Sequence, residues 1–346
     1  MGAAVPAPIT RSAVIPVLTE AEFQPISRVK ITPYPHREAT LSRDRLLDSL
    51  RAGSQRRLSL IVAEAGYGKT TLLADFARRN EIRCLWYKLD STDGDWVTFL
   101  NYLIASAREA WPEFGAQTAA LLAKMAIRNP SRERVVSTFF AELSQAPNEP
   151  VLWIFDDFHG VDESDDVRDI IGRLVREAPD TVHLCLVTRR RPEMHLARLH
   201  AQGEIAQIDT QDMRFSLEET GRLFGEVYGQ PLESDVLAQV DGRTEGWAAS
   251  LQLLNSSIRG RSRTEIRTFV RAMTGAEGPL YDFLAEEVIG DLDPGLRSFL
   301  LHASILERIT VDYAAAALER DGKRPSGEQI TAWMAQAADL GLLSRP

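Results

Sequence analysis

The sequence predicts an α/β domain whose mostly parallel sheet is covered by helices on both faces, followed by a region built from helices. Five short apolar runs suited to strands alternate with helical segments up to about Thr210, and this alternation is typical of a parallel sheet. Beyond that point the strand patterns give way to helical ones. The chain has 346 residues, enough for roughly two to three domains.

The first predicted strand ends in a loop that contains glycine. Residues 1–28 are interrupted by prolines and have no sustained periodicity, which predicts a flexible lead-in. The run from Arg56 to Ala65 is rich in leucine and β-branched residues, and the following "TTLLADFARR" changes to helical spacing. The order is therefore strand, glycine loop, helix.

The other predicted strands follow in order along the chain. The second runs from Arg83 to Asp90, a helix-rich stretch extends to about residue 146, and the third runs from Val151 to Asp157. The segment "DDVRDIIGRLVREAP" has one apolar face, acidic residues at its start and a proline at its end, as an amphipathic helix would. "VHLCLVTRRRP" predicts a fourth strand and "EIAQIDT" a short fifth one.

The stretch "AEAGYGKT" matches the phosphate-binding P-loop pattern except at its first position, where Ala63 replaces glycine. A helix N-terminus leaves its first N–H groups unpaired, so a loop that leads into it can surround phosphate oxygens. Gly66 and Gly68 permit the close approach that this requires. Lys69 is predicted to contact the β- and γ-phosphates and the Thr70 hydroxyl to bind Mg²⁺. From the loop alone, a chance match after a strand remains an alternative.

Two carboxylates end the third predicted strand, in "FDDFH". Asp156 is predicted to hold Mg²⁺, and Asp157 to orient or deprotonate the attacking water. The alternative is a pair of acids that cap the next turn, but the P-loop before them favours the nucleotide site. His159 either stabilises this loop, which we favour, or contacts the water. Arg189, after the fourth strand, either reaches the γ-phosphate or belongs to a solvated basic loop.

The ordered series of motifs resembles the signal-transduction ATPases with numerous domains (STAND), and within them the MalT-type, LuxR-related transcription activators. The likeness covers about residues 29–345. It rests on "AGYGKTTLLADF", "WYKLDSTDGDWVTFLNYL", "FDDFH", "TRRRPEMHLARL", "MRFSLEETGRLF", "RTEGWAASLQLL", and "YDFLAEEVI" followed by "FLLHASIL". No later motif is specific by itself, but their order is.

The resemblance implies a nucleotide-binding P-loop domain at 29–210, a helical domain at 211–278 and an incomplete winged-helix domain at 279–346. It implies a slow ATPase that rests with ADP and self-associates with ATP. Separately, the 35 arginines against five lysines indicate a GC-rich coding bias and a bacterial source. The trigger would be a small-molecule or protein inducer that binds a C-terminal arm, and a helix-turn-helix would bind promoters. Since the chain stops at "LGLLSRP", we expect an excised core or a short paralogue.

The resemblance also assigns roles to single residues. Lys69, Asp156 and Asp157 would be catalytic, and Thr70 and Asp156 would hold Mg²⁺. Small residues such as Ala63 occur at the first loop position in this family, which favours a functional loop. The implied ATP or ADP contacts are Ala65, Gly66, Tyr67, Gly68, Lys69, Thr70, Thr71, Arg189 as the sensor arginine, and Gly246 and Trp247 in the place of the family's glycine-rich element near the adenine.

The composition of the chain limits the kinds of partner that it is expected to bind. The formal net charge of −9 argues against a large phosphate-backbone footprint, so no direct nucleic-acid binding is expected. Residues 281–346 hold six basic and eleven acidic residues, which favours a packing and regulatory winged helix over a DNA-binding one. No apolar run is long enough to span a membrane. Two cysteines in so long a chain favour a reducing cytoplasm.

Three other functions remain as alternatives to the regulatory switch. An AAA-like DNA-remodelling ATPase would need a basic channel, which the acidic balance disfavours. A phosphotransferase would need an acceptor pocket that the sequence does not indicate. A nucleotide-binding scaffold without hydrolysis is disfavoured by the paired aspartates. A calcium site at Asp90, Asp93 and Asp95 is less expected than helix capping, because the EF-hand spacing fails.

Overall fold

The structure, a computed structural model, describes ten segments of the chain. The predicted lead-in up to residue 25 and the motif "YDFLAEEVI" lie outside them. The described residues are 26–34, 40–79, 82–124, 130–146, 149–194, 196–272, 292–304, 306, 309–319 and 324–339.

A five-stranded, fully parallel sheet forms the centre of the first domain. Its strands are β1 (Leu58–Val62), β2 (Arg83–Lys88), β3 (Val151–Asp156), β4 (Val182–Thr188) and β5 (Ile205–Ile208). Their order across the sheet is β2-β3-β4-β1-β5, and every neighbouring pair is parallel. All five predicted strands are present, each shorter than the apolar run that predicted it. Since β4 lies between β1 and β3, the residues after β4 emerge between the P-loop and the paired aspartates.

Helices cover both faces of this sheet, as predicted. Along β3 the side chains alternate: Trp153 and Phe155 belong to one buried cluster, and Leu152 and Ile154 to the other. This is the period-two alternation of a strand. The helices of this domain are α1 (Arg28–Ile31), α2 (Asp44–Gly53), α3 (Lys69–Arg79), α4 (Trp96–Arg108), α5 (Ala116–Leu122), α6 (Arg132–Leu143), α7 (Asp165–Glu177), α8 (Ala197–Ala201) and α9 (Thr210–Met213).

The acidic residues after β2 are helix caps, as expected. Asp90 caps a short 3₁₀ turn, Ser91–Gly94, and Asp95 accepts a hydrogen bond from the Thr98 N–H at the start of α4. Asp93 has a further role that the sequence did not indicate. It is fully buried and lies 2.7 Å from the Lys30 Nζ, so it attaches α1 to the 3₁₀ turn that follows β2.

A helical region follows the sheet. Its first helix begins with the predicted capping box, in which Ser216 and Glu219 bond each other's backbone N–H groups. Leu41, which precedes α2, packs into the same apolar cluster as Phe224 and Leu251. The elements are α10 (Leu217–Arg222), which continues into a π-helical turn (Leu223–Val227), then α11 (Ser234–Thr244), α12 (Ala248–Ile258) and α13 (Arg263–Ala272).

Three more helices form a separate cluster near the end of the described residues. They are α14 (Pro294–Ala303), α15 (Val311–Ala317) and α16 (Gly327–Asp339). Asp293 caps α14 and a proline occupies its first turn, as predicted. Phe299 and Ile330 are fully buried between them. Within the described residues, none of the helices has the length and apolarity needed to cross a membrane.

Candidate nucleotide-binding site

The loop between β1 and α3 has the backbone geometry of a phosphate-binding loop. Gly66 and Gly68 have φ angles of +77° and +83°, in the region that favours glycine. A Cβ placed on Gly68 would have the Ala248 Cβ, at 3.9 Å, as its nearest neighbour. The backbone of Gly68 therefore faces open space just before the N-terminus of α3. Tyr67 is half-buried in this loop, and Thr71 is exposed in the first turn of α3.

Lys69 is turned back onto the loop. Its Nζ donates hydrogen bonds to the carbonyls of Ala63, at 2.7 Å, and Glu64, at 2.8 Å. Burial lowers its pKa to about 8, against the opposing attraction of Asp156 and Asp157. Ala63 is completely buried, and its N–H extends the β1 ladder to a β4 carbonyl. A small residue at this first position is thus compatible with the sheet, and its carbonyl holds the lysine.

Thr70 and Asp156 lie together. The Thr70 Oγ1 donates to the Asp156 Oδ2 at 3.0 Å, and the Asp156 side chain is fully buried. Burial raises the pKa of Asp156 to about 6, and the neighbouring Asp157 adds to this. A hydroxyl and a carboxylate oxygen beside a phosphate loop are the hard donors that Mg²⁺ prefers. These two residues fit Mg²⁺, which when bound would neutralise charge on the phosphates.

Asp157 has an unusual backbone. Its φ of +57° lies in the left-handed region, which is uncommon for a residue other than glycine. Its N–H donates to the Asp156 Oδ1 at 3.0 Å, so the backbone of the turn after β3 holds the Asp156 carboxylate in place. Strained backbone of this kind is concentrated at functional sites. His159 is half-buried two residues later, and burial, followed by the charge of Arg189, lowers its pKa to about 4. It is therefore neutral at physiological pH.

Arg189 lies at the same edge of the sheet. It follows β4 and is close enough to Lys69 and His159 to lower the pKa of both. A cavity of about 340 Å³ opens beside it at the carboxyl ends of β1, β4 and β5. In parallel sheets, ligands bind at this edge. The cavity is lined by Val62, Glu64, Arg189, Arg190, Arg191, Gln207, Asp209, Thr210 and Gln211.

The start of α12 packs directly on the loop. The Trp247 Nε1 donates to the Ala65 carbonyl and the Ala249 N–H to the Gly66 carbonyl, each at 3.0 Å. The Tyr67 and Trp247 rings lie 6.3 Å apart. A Cβ on Gly66 would come within 2.8 Å of the Ala249 Cβ. The helical region thus contacts the backbone of Ala65 and Gly66, which comes just before the N–H groups that face the phosphates.

Gly246 belongs to this contact for a packing reason. Its φ is +69°, and a Cβ there would lie 2.2 Å from the Phe215 carbonyl oxygen. The Phe215 N–H donates to the Gly246 carbonyl at 2.8 Å. The site residues predicted from motifs thus lie along the loop and the edge of the sheet, with Gly246 and Trp247 on the adjoining helical region. Phe215 and Ala249 lie inside two of the quoted motifs, but sequence reasoning gave neither of them a role at the site.

Comparisons with known proteins fit this architecture. A family model described as an AAA ATPase domain matches residues 34–187, and one described as the MalT winged helix domain matches residues 285–340. The Walker-type ATPase of Pyrococcus abyssi superposes with a TM-score of 0.55 at 13% identity, covering 89% of this chain and 92% of that one. That likeness concerns the fold alone. The predicted fold class is confirmed.

Two curated relatives are similar over most of this chain. The serine/threonine-protein kinase PknK of Mycobacterium tuberculosis (strain H37Rv) is 30% identical over 295 residues, 84% of this chain and 26% of the kinase. The HTH-type transcriptional regulator MalT of Klebsiella pneumoniae is 30% identical over 271 residues, 78% of this chain and 29% of the regulator. The chain thus spans less than a third of each relative. Its motifs, its two matching domains and these relatives place it in one family: the chain belongs to the MalT-type STAND P-loop ATPases.

Proposed function

We propose that this chain is an ATP- and ADP-binding regulatory switch that hydrolyses ATP slowly, rests with bound ADP and self-associates when ATP replaces it. The observation that carries the proposal is that both the sheet domain and the helical region contact the phosphate loop. The loop leads into α3 of the first domain, and its Ala65 and Gly66 carbonyls are bonded by the start of α12. A nucleotide bound there changes the loop that both regions contact, so the arrangement of the two regions can report the nucleotide.

The chemistry of the site supports slow hydrolysis. Asp156 and Thr70 offer the oxygen donors for Mg²⁺, and Asp157 lies beside them to orient water. Lys69 bonds two loop carbonyls and has to leave them to reach a phosphate. We infer that the lysine side chain moves when nucleotide binds and moves back when it leaves, which favours slow exchange of nucleotide over rapid turnover.

The relatives support a switch whose output lies elsewhere. One is named a kinase and the other a transcriptional regulator, yet both share this region. A shared nucleotide switch with different outputs explains this. An inducer, either a small molecule or a protein, would act through parts that correspond to the rest of those longer proteins. With a net charge of −9, the chain itself would not bind nucleic acid directly. We also propose a cytoplasmic location, because two cysteines in so long a chain do not form a disulfide framework.

The first experiment denatures the freshly purified chain and identifies any released nucleotide by chromatography. We expect close to one ADP per chain, and none from Lys69→Ala. Lys124→Ala, which removes an exposed lysine far along the chain, is the matched control and should keep its ADP. An empty wild-type protein with rapid ATP turnover, stimulated by DNA, would instead favour the AAA-like remodelling ATPase.

The second experiment measures self-association by light scattering with ADP and with a non-hydrolysable ATP analogue. It is done on this chain and on the longer protein with its inducer-binding part. Larger assemblies with the ATP analogue are expected. A particle that stays monomeric in both nucleotides, with that part present, would contradict the proposal.

A further inference from the structure

Arg43 is a buried arginine at the boundary between the two regions. It immediately precedes α2, whose Leu46 and Leu47 pack under the sheet. Only 6% of Arg43 is exposed. Its guanidinium bonds the carbonyls of Met213 and Arg214 and the Glu219 carboxylate. A buried guanidinium with three partners in a single short segment fixes the position of that segment.

The same guanidinium stacks on Phe215. Its Cζ lies 4.1 Å from the centroid of the Phe215 ring. The Glu219 carboxylate that it bonds at 2.9 Å also accepts the Ser216 N–H, in the capping box of α10. Leu41, two residues before the arginine, lies in the apolar cluster of the helical region. Arg43 therefore holds residues 213–219 against the domain that carries the P-loop.

That segment sets the position of Trp247. Phe215 bonds Gly246 through its N–H at 2.8 Å and leaves no room for a side chain there. An ion pair of 2.6 Å also joins Arg214 to Glu245 at the same turn. Trp247 comes directly after this turn and donates to the Ala65 carbonyl of the loop. An unbroken series of contacts thus leads from Arg43 to the phosphate loop.

We propose that Arg43 is a positioning residue for nucleotide retention: it holds the segment 213–219 in the place that lets Trp247 and Ala249 bond the phosphate loop. It acts through these residues and touches no phosphate. This inference rests on the proposed retention of ADP. Without Arg43, the loop carbonyls lose their partners more often, and bound nucleotide leaves faster.

The test uses Arg43→Met, which keeps the length of the side chain and removes the guanidinium. The matched control is Arg243→Met, because Arg243 also bonds two backbone carbonyls, those of Val270 and Arg271, and both of them belong to the helical region. Both variants should lose stability. We expect fluorescently labelled ADP to dissociate roughly three- to thirtyfold faster from Arg43→Met, and at the wild-type rate from Arg243→Met. Equal rates in the two variants would overturn the proposal.

Hydrogen exchange of the nucleotide-free chain separates this inference from the proposed function. Peptides that cover residues 61–72 should exchange faster in Arg43→Met than in Arg243→Met, whether or not ADP is the resting ligand. Lys69→Ala, by contrast, would lose nucleotide by removing a direct contact with the phosphates. Faster dissociation from Arg43→Met with unchanged loop exchange would mean that Arg43 contacts the ligand itself, and the proposal would fail.

A double-mutant cycle tests the route through Trp247. In a Trp247→Phe background the hydrogen bond to Ala65 is already absent. Arg43→Met should then accelerate dissociation less than it does in the wild type, since coupled residues are not additive. Arg43→Lys, which keeps the charge but not the fork of donors, should recover only part of the wild-type rate. Additive effects of Arg43→Met and Trp247→Phe would refute the route.

Discussion

Two glycine turns meet at the phosphate loop, and they serve different purposes. Gly68 precedes α3 with a φ of +83°, and Gly246 lies just before α12 with a φ of +69°. A Cβ on Gly68 would have its nearest neighbour at 3.9 Å, whereas one on Gly246 would meet a carbonyl oxygen at 2.2 Å. Gly68 leaves the space beside the backbone of the phosphate loop free of protein atoms. Gly246 lets two protein segments touch.

This difference explains why one turn is evident from a local pattern of residues, whereas the other was predicted only through the resemblance to a family. The turn at Gly68 belongs to a pattern of consecutive residues, because the groups that surround a phosphate come from one strand, loop and helix. The turn at Gly246 has meaning only beside Phe215, 31 positions earlier, whose N–H and carbonyl it contacts. Four predictions separate the two roles.

The largest loss of stability is expected for Gly246→Ala. An added Cβ would clash with the Phe215 carbonyl, and alanine is strained at this positive φ. We expect the free energy of unfolding to fall by about 4 kcal/mol, at the upper end for a misplaced small residue. Denaturant unfolding followed by circular dichroism measures it. Gly242→Ala, in α11 with nothing within 4 Å of its Cβ, is the control and should lose no stability, because alanine is the better helix former by up to about 1 kcal/mol. Similar losses in both variants would show that the contact with Phe215 is unimportant.

The opposite pattern is expected for Gly68→Ala. Its Cβ would meet no protein atom closer than 3.9 Å, so the loss of stability is limited to about 1 kcal/mol of backbone strain. The same methyl group would occupy the space in which a phosphate approaches the backbone. Affinity for ADP should fall by about 3 kcal/mol, roughly a hundredfold. Calorimetric titration measures it, and retained affinity would mean that nucleotide does not approach Gly68.

Much of the first domain follows from local sequence, and much of the site does not. Five apolar runs predicted five strands, and the two aspartates of "FDDFH" lie at the end of β3 as expected. The order of the strands depends on pairing between distant segments, which no local pattern specifies. The boundaries were too wide because apolar residues such as Ala63 continue beyond the end of a strand.

The contacts that join the two regions were equally invisible. Arg43 precedes an ordinary amphipathic helix, and nothing in its neighbours indicates a buried guanidinium. The π-helical turn Leu223–Val227 does not begin at a helix-breaking residue, so the sequence gives no sign of it. Lys30 and Asp93, a partly buried pair 63 positions apart, look like surface charges in the sequence. Buried charge becomes predictable only once the partner is known, because an unpaired charge would not be tolerated there.

A third prediction concerns the cost in stability of burying the Asp156 carboxylate. The pKa of Asp156 is raised to about 6 from 3.8, so the ionised group destabilises the nucleotide-free fold above pH 6. Asp156→Asn should stabilise that form by about 2 kcal/mol at pH 7.5. The gain should shrink from pH 6 to pH 4, because the carboxyl becomes protonated first in the folded state and then in both states. Thermal unfolding across this range tests it, with the exposed Asp180→Asn as control.

Absence of any gain at pH 7.5 would mean that Lys69 and Thr70 compensate the buried carboxylate fully. A gain that persists at pH 4 would show that the effect comes from packing instead of charge. Either result would contradict the expectation that the charge of Asp156 costs stability at the site, and it would reduce the contrast with the turn at Gly246, where packing decides.

The smallest effect is expected at a third contact on the loop. The Thr210 Oγ1, at the start of α9, donates to the Glu64 Oε2 at 2.9 Å. Glu64 accepts the Lys69 hydrogen bond through its backbone carbonyl. Thr210 bonds only the Glu64 side chain, so its loss should leave the Lys69 contact in place. Thr210→Val should cost about 1 kcal/mol of stability, as for one partly buried hydrogen bond. Release of labelled ADP should change less than about twofold, a size at which no coupling is resolved. An increase in the rate of ADP release as large as that expected for Arg43→Met would mean that α9 controls the position of the loop as well as α12.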